Sequence, residues 1–173
     1  RINSNVNFQD KKYRNYGGGL EITPNGQNDL YEPRVFGKYL AIPVYVNPWI
    51  WFNSDNRKKF TYNLSFDYYA YDQKGRNRFN NEIAFNYRVS DHYSVSYAAS
   101  YYLSNQEQGF AGKDATNIYI GNRNRNTVIN ELNSKYTINN KMALSFSLRH
   151  YYTEVNYKSF GTLQDDGSVL RIN

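Results

Sequence analysis

Histidine and cysteine, the side chains that most often bind transition metals or activate a nucleophile, are scarce in this sequence. The chain has no cysteine and only two histidines, His92 and His150, which lie far apart. His92 falls in a polar turn, and His150 falls on the apolar side of an alternating segment. A zinc site needs several clustered ligands, and a nucleophile needs a neighbouring base. The sequence therefore predicts no catalytic residue, no metal site and no cofactor, and we expect that the protein is not an enzyme.

Two short motifs have both a chemical and a structural interpretation. Asp165-Asp166-Gly167 could supply calcium ligands, but Asp-Gly between apolar residues favours a hairpin turn. Gly17-Gly18-Gly19 is followed by no helical pattern that would present N–H groups to a phosphate. We interpret the triple glycine as a break after a weak strand in residues 1–16.

Charged residues recur on the polar side of several alternating segments. Glu131 falls opposite Arg149 if Ile138 pairs with Met142, and the signs of this set are mixed. Mixed signs favour an internally neutralised lumen over an open pore or a binding surface. The predicted lumen-facing charges, to which we assign a structural role, are Asp67, Arg78, Glu82, Arg88, Glu131, Lys135 and Arg149.

These charges must be positioned by strands, and the clearest strand signal runs from Phe79 to Leu103. Two segments of about eleven residues alternate between apolar and polar side chains, a period of two that is typical of β-strands. The three-residue turn Ser90–His92 joins them. A tilted strand of about 9–11 residues crosses a bilayer, so we predict a transmembrane hairpin.

Similar segments precede and follow this hairpin, at residues 60–70, 128–138 and 142–152. We count about seven strands. Soluble strands are usually about 5–6 residues long, so the sequence predicts an all-β fold, an antiparallel transmembrane β-barrel, with residues 1–173 as part of one outer-membrane barrel domain. Because an odd number of strands does not close a bacterial barrel, we expect further strands in a longer precursor.

The connections between these segments are of two kinds. Ser54–Arg57, Ser90–His92 and Asn139–Lys141 are short and should be periplasmic, since barrels have short periplasmic turns and long external loops. Residues 15–33, 105–126 and 156 onward should be external loops. The chain starts at Arg1 without a signal peptide and lacks a terminal aromatic strand, so both ends are expected to continue in the precursor.

Aromatic residues make up 18% of the chain, with 19 Tyr, 10 Phe and 2 Trp, as suits side chains at a membrane–water boundary. Pro43 and Pro48 interrupt the apolar segment 34–53, where the apolar positions change from even to odd. We expect a bulge or a sheet edge there. The predicted interface aromatics are Trp49, Trp51, Tyr93, Tyr101, Tyr136 and Tyr152.

Overall composition excludes other classes of protein. The mean hydropathy is −0.83, and no apolar run approaches the roughly 18 residues that a transmembrane helix needs. The net charge is +6, but Lys and Arg are spread along the chain, so we expect no nucleic-acid partner.

Several short fragments occur in a characteristic order along the chain. They are Tyr31-Glu32-Pro33-Arg34, Asp55-Asn56-Arg57-Lys58-Lys59, Gly112-Lys113-Asp114, Asn122-Arg123-Asn124-Arg125-Asn126-Thr127, Asn140-Lys141-Met142, Arg149-His150-Tyr151 and Leu163-Gln164-Asp165-Asp166-Gly167. Together they resemble the C-terminal barrel of a Bacteroidota family of domains of unknown function, in which a β-sandwich similar to a carbohydrate-binding module typically precedes the barrel. The resemblance implies an outer-membrane location and a link to glycans, and it implies no catalytic residues.

We therefore expect a pore, an anchor or a scaffold in a cell-surface assembly of the bacterial outer membrane. The expected partners are membrane lipid, other outer-membrane or periplasmic proteins and, from the resemblance, a glycan. Two alternatives remain: the barrel of a plug-gated transporter, and a soluble ligand-binding barrel with the apolar side chains inside. Alternation alone does not distinguish the soluble barrel from the membrane barrel.

Overall fold

The computed structural model describes residues 1–172, which form eleven strands. Their bounds are β1 Ile2–Gln9, β2 Asn15–Thr23, β3 Gln27–Asp29, β4 Leu40–Ile42, β5 Tyr45–Asn53, β6 Phe60–Tyr71, β7 Asn77–Arg88, β8 Tyr93–Lys113, β9 Ile118–Asn139, β10 Met142–Leu163 and β11 Val169–Arg171. Within these residues, no helix has the length and apolar character needed to cross a membrane.

Nine of the strands form one antiparallel sheet in the order β1-β2-β5-β6-β7-β8-β9-β10-β11, and β3 pairs with β4 in a separate hairpin. The predicted all-β antiparallel fold is confirmed. The nine-stranded sheet is open over residues 1–172, with β1 and β11 as its two edges. A closed barrel is therefore not seen.

The predicted hairpin from Phe79 to Leu103 is confirmed. Arg88 pairs with Ser94 and Phe79 pairs with Leu103, on either side of the turn Ser90–His92. The alternation of apolar and polar residues favours this pairing because a strand sends successive side chains to opposite faces, so that a slip of one residue would mix the two sets. The same alternation sets the register of β6 against β7.

The two ends of the sheet differ. Short turns join β1 to β2, β5 to β6, β7 to β8 and β9 to β10 at one end, the short-turn end. At the other end, the long-strand end, β8, β9 and β10 extend to 21 or 22 residues. The three connections predicted to be short therefore lie together.

All three segments predicted as external loops, residues 15–33, 105–126 and 156 onward, contain strands. Residue 156 onward continues β10 to Leu163 and then forms β11. Gly17-Gly18-Gly19 lies within β2 and pairs with both β1 and β5, so the triple glycine does not break a strand. Most of residues 105–126 continue β8 and β9, joined by the turn 114–117. The prediction for the triple glycine was wrong because side chains of the neighbouring strands supply the packing that glycine lacks. The prediction for residues 105–126 was wrong because neither side of that segment is apolar.

Pro48 lies inside the sheet, where proline is unusual because it cannot donate a ladder hydrogen bond. β5 pairs with β2 and with β6 in one continuous register, so the predicted bulge or edge is absent. The side-chain amide of Asn47 donates to the carbonyl of Tyr68 at 3.2 Å. This bond supplies the donor that Pro48 lacks, which explains how proline fits in an interior strand.

Residues 24–44, which connect β2 to β5 and contain the β3–β4 hairpin, form an inner segment against the polar side of the sheet. Ala41 N donates to the carbonyl of Gly167 in the β10–β11 turn at 2.9 Å. In a flat sheet, β5 and β10 would lie about 24 Å apart, whereas the four residues from Ala41 to Tyr45 reach at most about 14 Å. The sheet must therefore curl around the inner segment.

Candidate functional site

Cross-strand pairing puts all seven predicted lumen charges on one face of the sheet, the polar face. Directly opposed residues share a face, and one row of such pairs runs from Ser65 through Glu82 to Ser100. The other predicted charges follow by counting in steps of two along their strands. The polar face therefore carries Asp67, Arg78, Glu82, Arg88, Glu131, Lys135 and Arg149.

These charges do not converge on one point. Arg149 Nε lies 3.1 Å from Glu131 Oε1, in the cross-strand pair that the sequence indicated. Asp67 accepts a hydrogen bond from Asn80 Nδ2 at 2.8 Å. This bond joins β6 and β7, whereas the Glu131–Arg149 pair joins β9 and β10. Such local pairs neutralise charge on the polar face and do not form a group of catalytic side chains.

Trp49 and Trp51 also lie on the polar face, opposite Asp67 and Ser65 of β6. The prediction had assigned them to the apolar side through a bulge that does not exist. A Cβ atom on Gly19 would lie 2.5 Å from Trp49 Cζ2, and one on Gly17 would lie 3.0 Å from Trp51 Cε2. The glycines of β2 thus leave the space that the two indole rings occupy.

The opposite, apolar face carries the other four predicted interface aromatics. Tyr93 pairs with Tyr136 near the short-turn end, and their ring centroids are 6.4 Å apart. Tyr101 and Tyr152 flank Val128 in one row nearer the long-strand end. The two rows are eight residues apart along β8, which corresponds to about 26 Å. Between them lie exposed apolar side chains such as Leu132 and Leu148.

A cleft of about 340 Å³ opens on the polar face at the short-turn end. Its walls come from β6 to β10 and from the turn before β6, which agrees with a sheet that curls around its polar face. Four cations line this basic cleft, together with hydroxyl and amide groups, and no carboxylate of the described chain does so. The cations are Lys58, Lys59, Arg88 and Lys135.

At the long-strand end, Glu107 pairs with two arginines. Glu107 accepts hydrogen bonds from Arg123 Nε at 3.1 Å and from Arg125 at 2.7 Å. Arg76 donates to Gln108 Oε1 at 3.0 Å and lies over the ring of Tyr71. Burial lowers the pKa of Arg76 from its ordinary value, and the neighbouring Tyr71 and Glu107 oppose this shift.

The inner segment is fastened to this charged region. Glu32 accepts a hydrogen bond from the backbone N–H of Phe110 at 2.7 Å, and the Arg34 guanidinium lies 4.7 Å from the centroid of the Phe110 ring. A Cβ atom on Gly109 would collide with Arg123 and would lie 2.9 Å from Glu32. Glycine at this position therefore allows Glu32 and the guanidinium to approach the strand backbone.

The motifs considered for chemistry have structural roles. His92 Nδ1 lies 2.9 Å from the carbonyl of Thr137, and His150 Nδ1 lies 3.2 Å from Asn130 Nδ2. Asp165-Asp166-Gly167 forms the β10–β11 turn, as predicted, with a positive φ at Gly167. Residues 1–172 contain no group of three or more His, Asp or Glu side chains that could hold a metal ion.

A family model with the description "Domain of unknown function (DUF5916)" matches residues 1–173. The chain belongs to this family. The prediction of an uncharacterised family is confirmed. The DUF5916 match carries no information on a bacterial group, a barrel or an N-terminal sandwich. No curated protein and no solved structure matches the chain.

Sequence reasoning missed half of the basic cleft in this DUF5916 chain. Arg88 and Lys135 were assigned to the polar face, but Lys58 and Lys59 precede the alternating residues of β6 and carry no periodic signal. The informative feature was their position. They directly precede a strand that starts at the end where Arg88 and Lys135 also lie.

Proposed function

We propose that the chain forms part of the wall of a transmembrane β-barrel in the bacterial outer membrane. The observation that carries this proposal is the apolar face, with tyrosine rows about 26 Å apart. Along strands tilted by about 40°, this separation corresponds to a height of about 20 Å, close to the apolar band of about 25 Å, with aromatic girdles, of outer-membrane barrels. The polar face would line a lumen, and further strands would close the sheet into a barrel.

The same geometry bears on the soluble alternative. A soluble ligand-binding barrel would enclose its apolar face, but Leu144, Phe146 and Leu148 are all more than half exposed. The inner segment lies instead on the polar face. This arrangement favours a membrane barrel with a partly filled lumen, serving as an anchor or scaffold of a cell-surface assembly or as a restricted pore.

The family resemblance adds an expectation about the assembly. If a sandwich similar to a carbohydrate-binding module precedes the barrel in a Bacteroidota protein, the barrel would anchor a glycan-binding module to the membrane. The inner segment also gives the plug-gated transporter some support, since it lies where a gate would lie.

The first test uses the full-length protein, purified with and without detergent. We expect it to need detergent and to migrate faster on a denaturing gel before boiling than after. A protein that stays monomeric in buffer and shows no heat-dependent shift would contradict the membrane assignment.

Two neighbouring alanines of β8 give a sharper test. Ala99 is opposite Ile83 on the apolar face, and Ala98 is opposite Glu131 on the polar face. In a bilayer, Ala99→Arg should destabilise the protein by about 2–4 kcal/mol, since arginine near the midplane of a barrel is costly. Ala98→Arg should have little effect because it meets Glu131. Equal effects in lipid vesicles would overturn the proposed orientation.

A further inference from the structure

The basic cleft brings together four cations, and no carboxylate of the described chain lines it. Seven other cations each lie within ion-pair distance of a carboxylate, and the basic-cleft cations have no such partner in residues 1–172. The paired cations are Arg1, Arg14, Lys38, Arg57, Arg123, Arg125 and Arg149. Charge is thus neutralised locally at these seven positions, whereas the basic cleft holds four cations together without a carboxylate in its lining.

Unbalanced like charges repel one another, and walls of low dielectric strengthen the field inside a cleft. The four cations come from separate places along the chain: the turn before β6, the end of β7 and the body of β9. The fold therefore gathers them although they are not neighbours in sequence. Nothing in the local packing requires this arrangement, because all four side chains are exposed.

The remaining lining suits an oxyanion. Ser94, Ser96, Ser145 and Ser147 contribute hydroxyl groups, and Asn86 and Asn133 contribute side-chain amides. Hydroxyl and amide groups donate hydrogen bonds to oxyanions, lysine acts as a point charge toward phosphate, and arginine can bind two phosphate oxygens at once.

We infer that the basic cleft is a binding site for a small multivalent anion, a phosphate-bearing solute in particular. A volume of about 340 Å³ accommodates a phosphate group with a small organic moiety. Arg88 would orient the phosphate, and Lys58, Lys59 and Lys135 would neutralise it. The inference does not depend on a membrane, because the basic cleft is formed by strands that curl around the polar face, whatever covers the apolar face.

The test measures the binding of inorganic pyrophosphate to the full-length protein by calorimetry at low ionic strength. We expect binding that weakens as salt is added, since screening shortens the reach of the cations. The variant K59Q/K135Q should lose affinity by about tenfold or more, as expected when charged hydrogen-bond partners are removed.

The matched control is K12Q/K141Q, which removes the same charge from exposed lysines in two turns at the same end of the sheet. It should bind pyrophosphate as the wild type does, and K59R/K135R should retain most of the affinity. Without pyrophosphate, K59Q/K135Q should unfold at the wild-type temperature or above it. Loss of stability together with lost binding would indicate a structural role and overturn the inference, as would equal losses in K12Q/K141Q.

Discussion

At the scale of single residues, the turn before β6 is held by one carboxylate. Asp55 accepts hydrogen bonds from Arg57 Nε and Nη2, both at 2.9 Å, and from the Arg57 backbone N–H at 3.1 Å. The same guanidinium lies over the ring of Tyr13 in the β1–β2 turn. The hydrogen bonds from Arg57 lower the pKa of Asp55 to about 2.

Asp55 should therefore make stability depend on pH in the acid range. The folded-state pKa of about 2 lies below the value of about 3.9 in an unfolded chain. The contribution is complete above about pH 4 and disappears as the pH falls through about 2. The thermal unfolding temperature of Asp55→Asn should be lower than that of the wild type at pH 6, and the two temperatures should converge near pH 2. Asp91→Asn, in another short turn, is the control, and a pH-independent Asp55→Asn deficit would contradict this account.

Individual side chains were predictable where the period of two decided their face. This holds for the seven polar-face charges and for Tyr93, Tyr101, Tyr136 and Tyr152. Trp49 and Trp51 were misassigned because their face depends on Gly17 and Gly19 in a neighbouring strand. No local pattern around a tryptophan carries that information.

At the scale of elements, β2 and β5 depend on the fit between glycine and tryptophan. Gly19→Ala should destabilise the protein by about 1–3 kcal/mol, because the added methyl group would overlap both the Trp49 ring and the Ser4 carbonyl. Trp49→Phe should recover part of this loss by shortening the ring. Gly112→Ala is the control, since its Cβ would meet nothing within 4 Å. Thermal unfolding measures the stability of all three variants. A Gly19→Ala variant as stable as the wild type would contradict the packing described.

The elements recovered from the sequence were those with one apolar side. Residues 60–70, 79–88, 93–103, 128–138 and 142–152 all fall in strands. The parts of β8 and β9 at the long-strand end were missed because both of their faces are polar. The alternation of Asn and Arg in residues 122–126 nevertheless has the period of two of a strand. The β3–β4 hairpin was missed because each of its strands has only three residues.

At the scale of the whole molecule, the curled sheet has different surfaces at its two ends. The short-turn end carries the four basic-cleft cations, which have no carboxylate partner in residues 1–172, whereas the long-strand end carries the pairs of Glu107 with Arg123 and Arg125 beside the inner segment. A solute moving along the polar face would meet a fastened segment at one end and an anion-attracting cleft at the other. If the chain lines a pore, the inner segment is the element expected to restrict it.

That restriction can be tested by loosening the inner segment at Glu32. Glu32→Ala removes the acceptor of the part-buried Phe110 N–H, a hydrogen bond to a charged group that contributes about 1.5–3 kcal/mol, and should raise the conductance of the full-length protein in planar bilayers. Asp165→Asn is the matched control, because Asp165 is 95% exposed in its pair with Lys38 and exposed pairs contribute little. It should leave conductance unchanged. Equal conductance in wild type and Glu32→Ala would mean that the inner segment does not gate the proposed lumen, and would favour the proposed anchor over the pore.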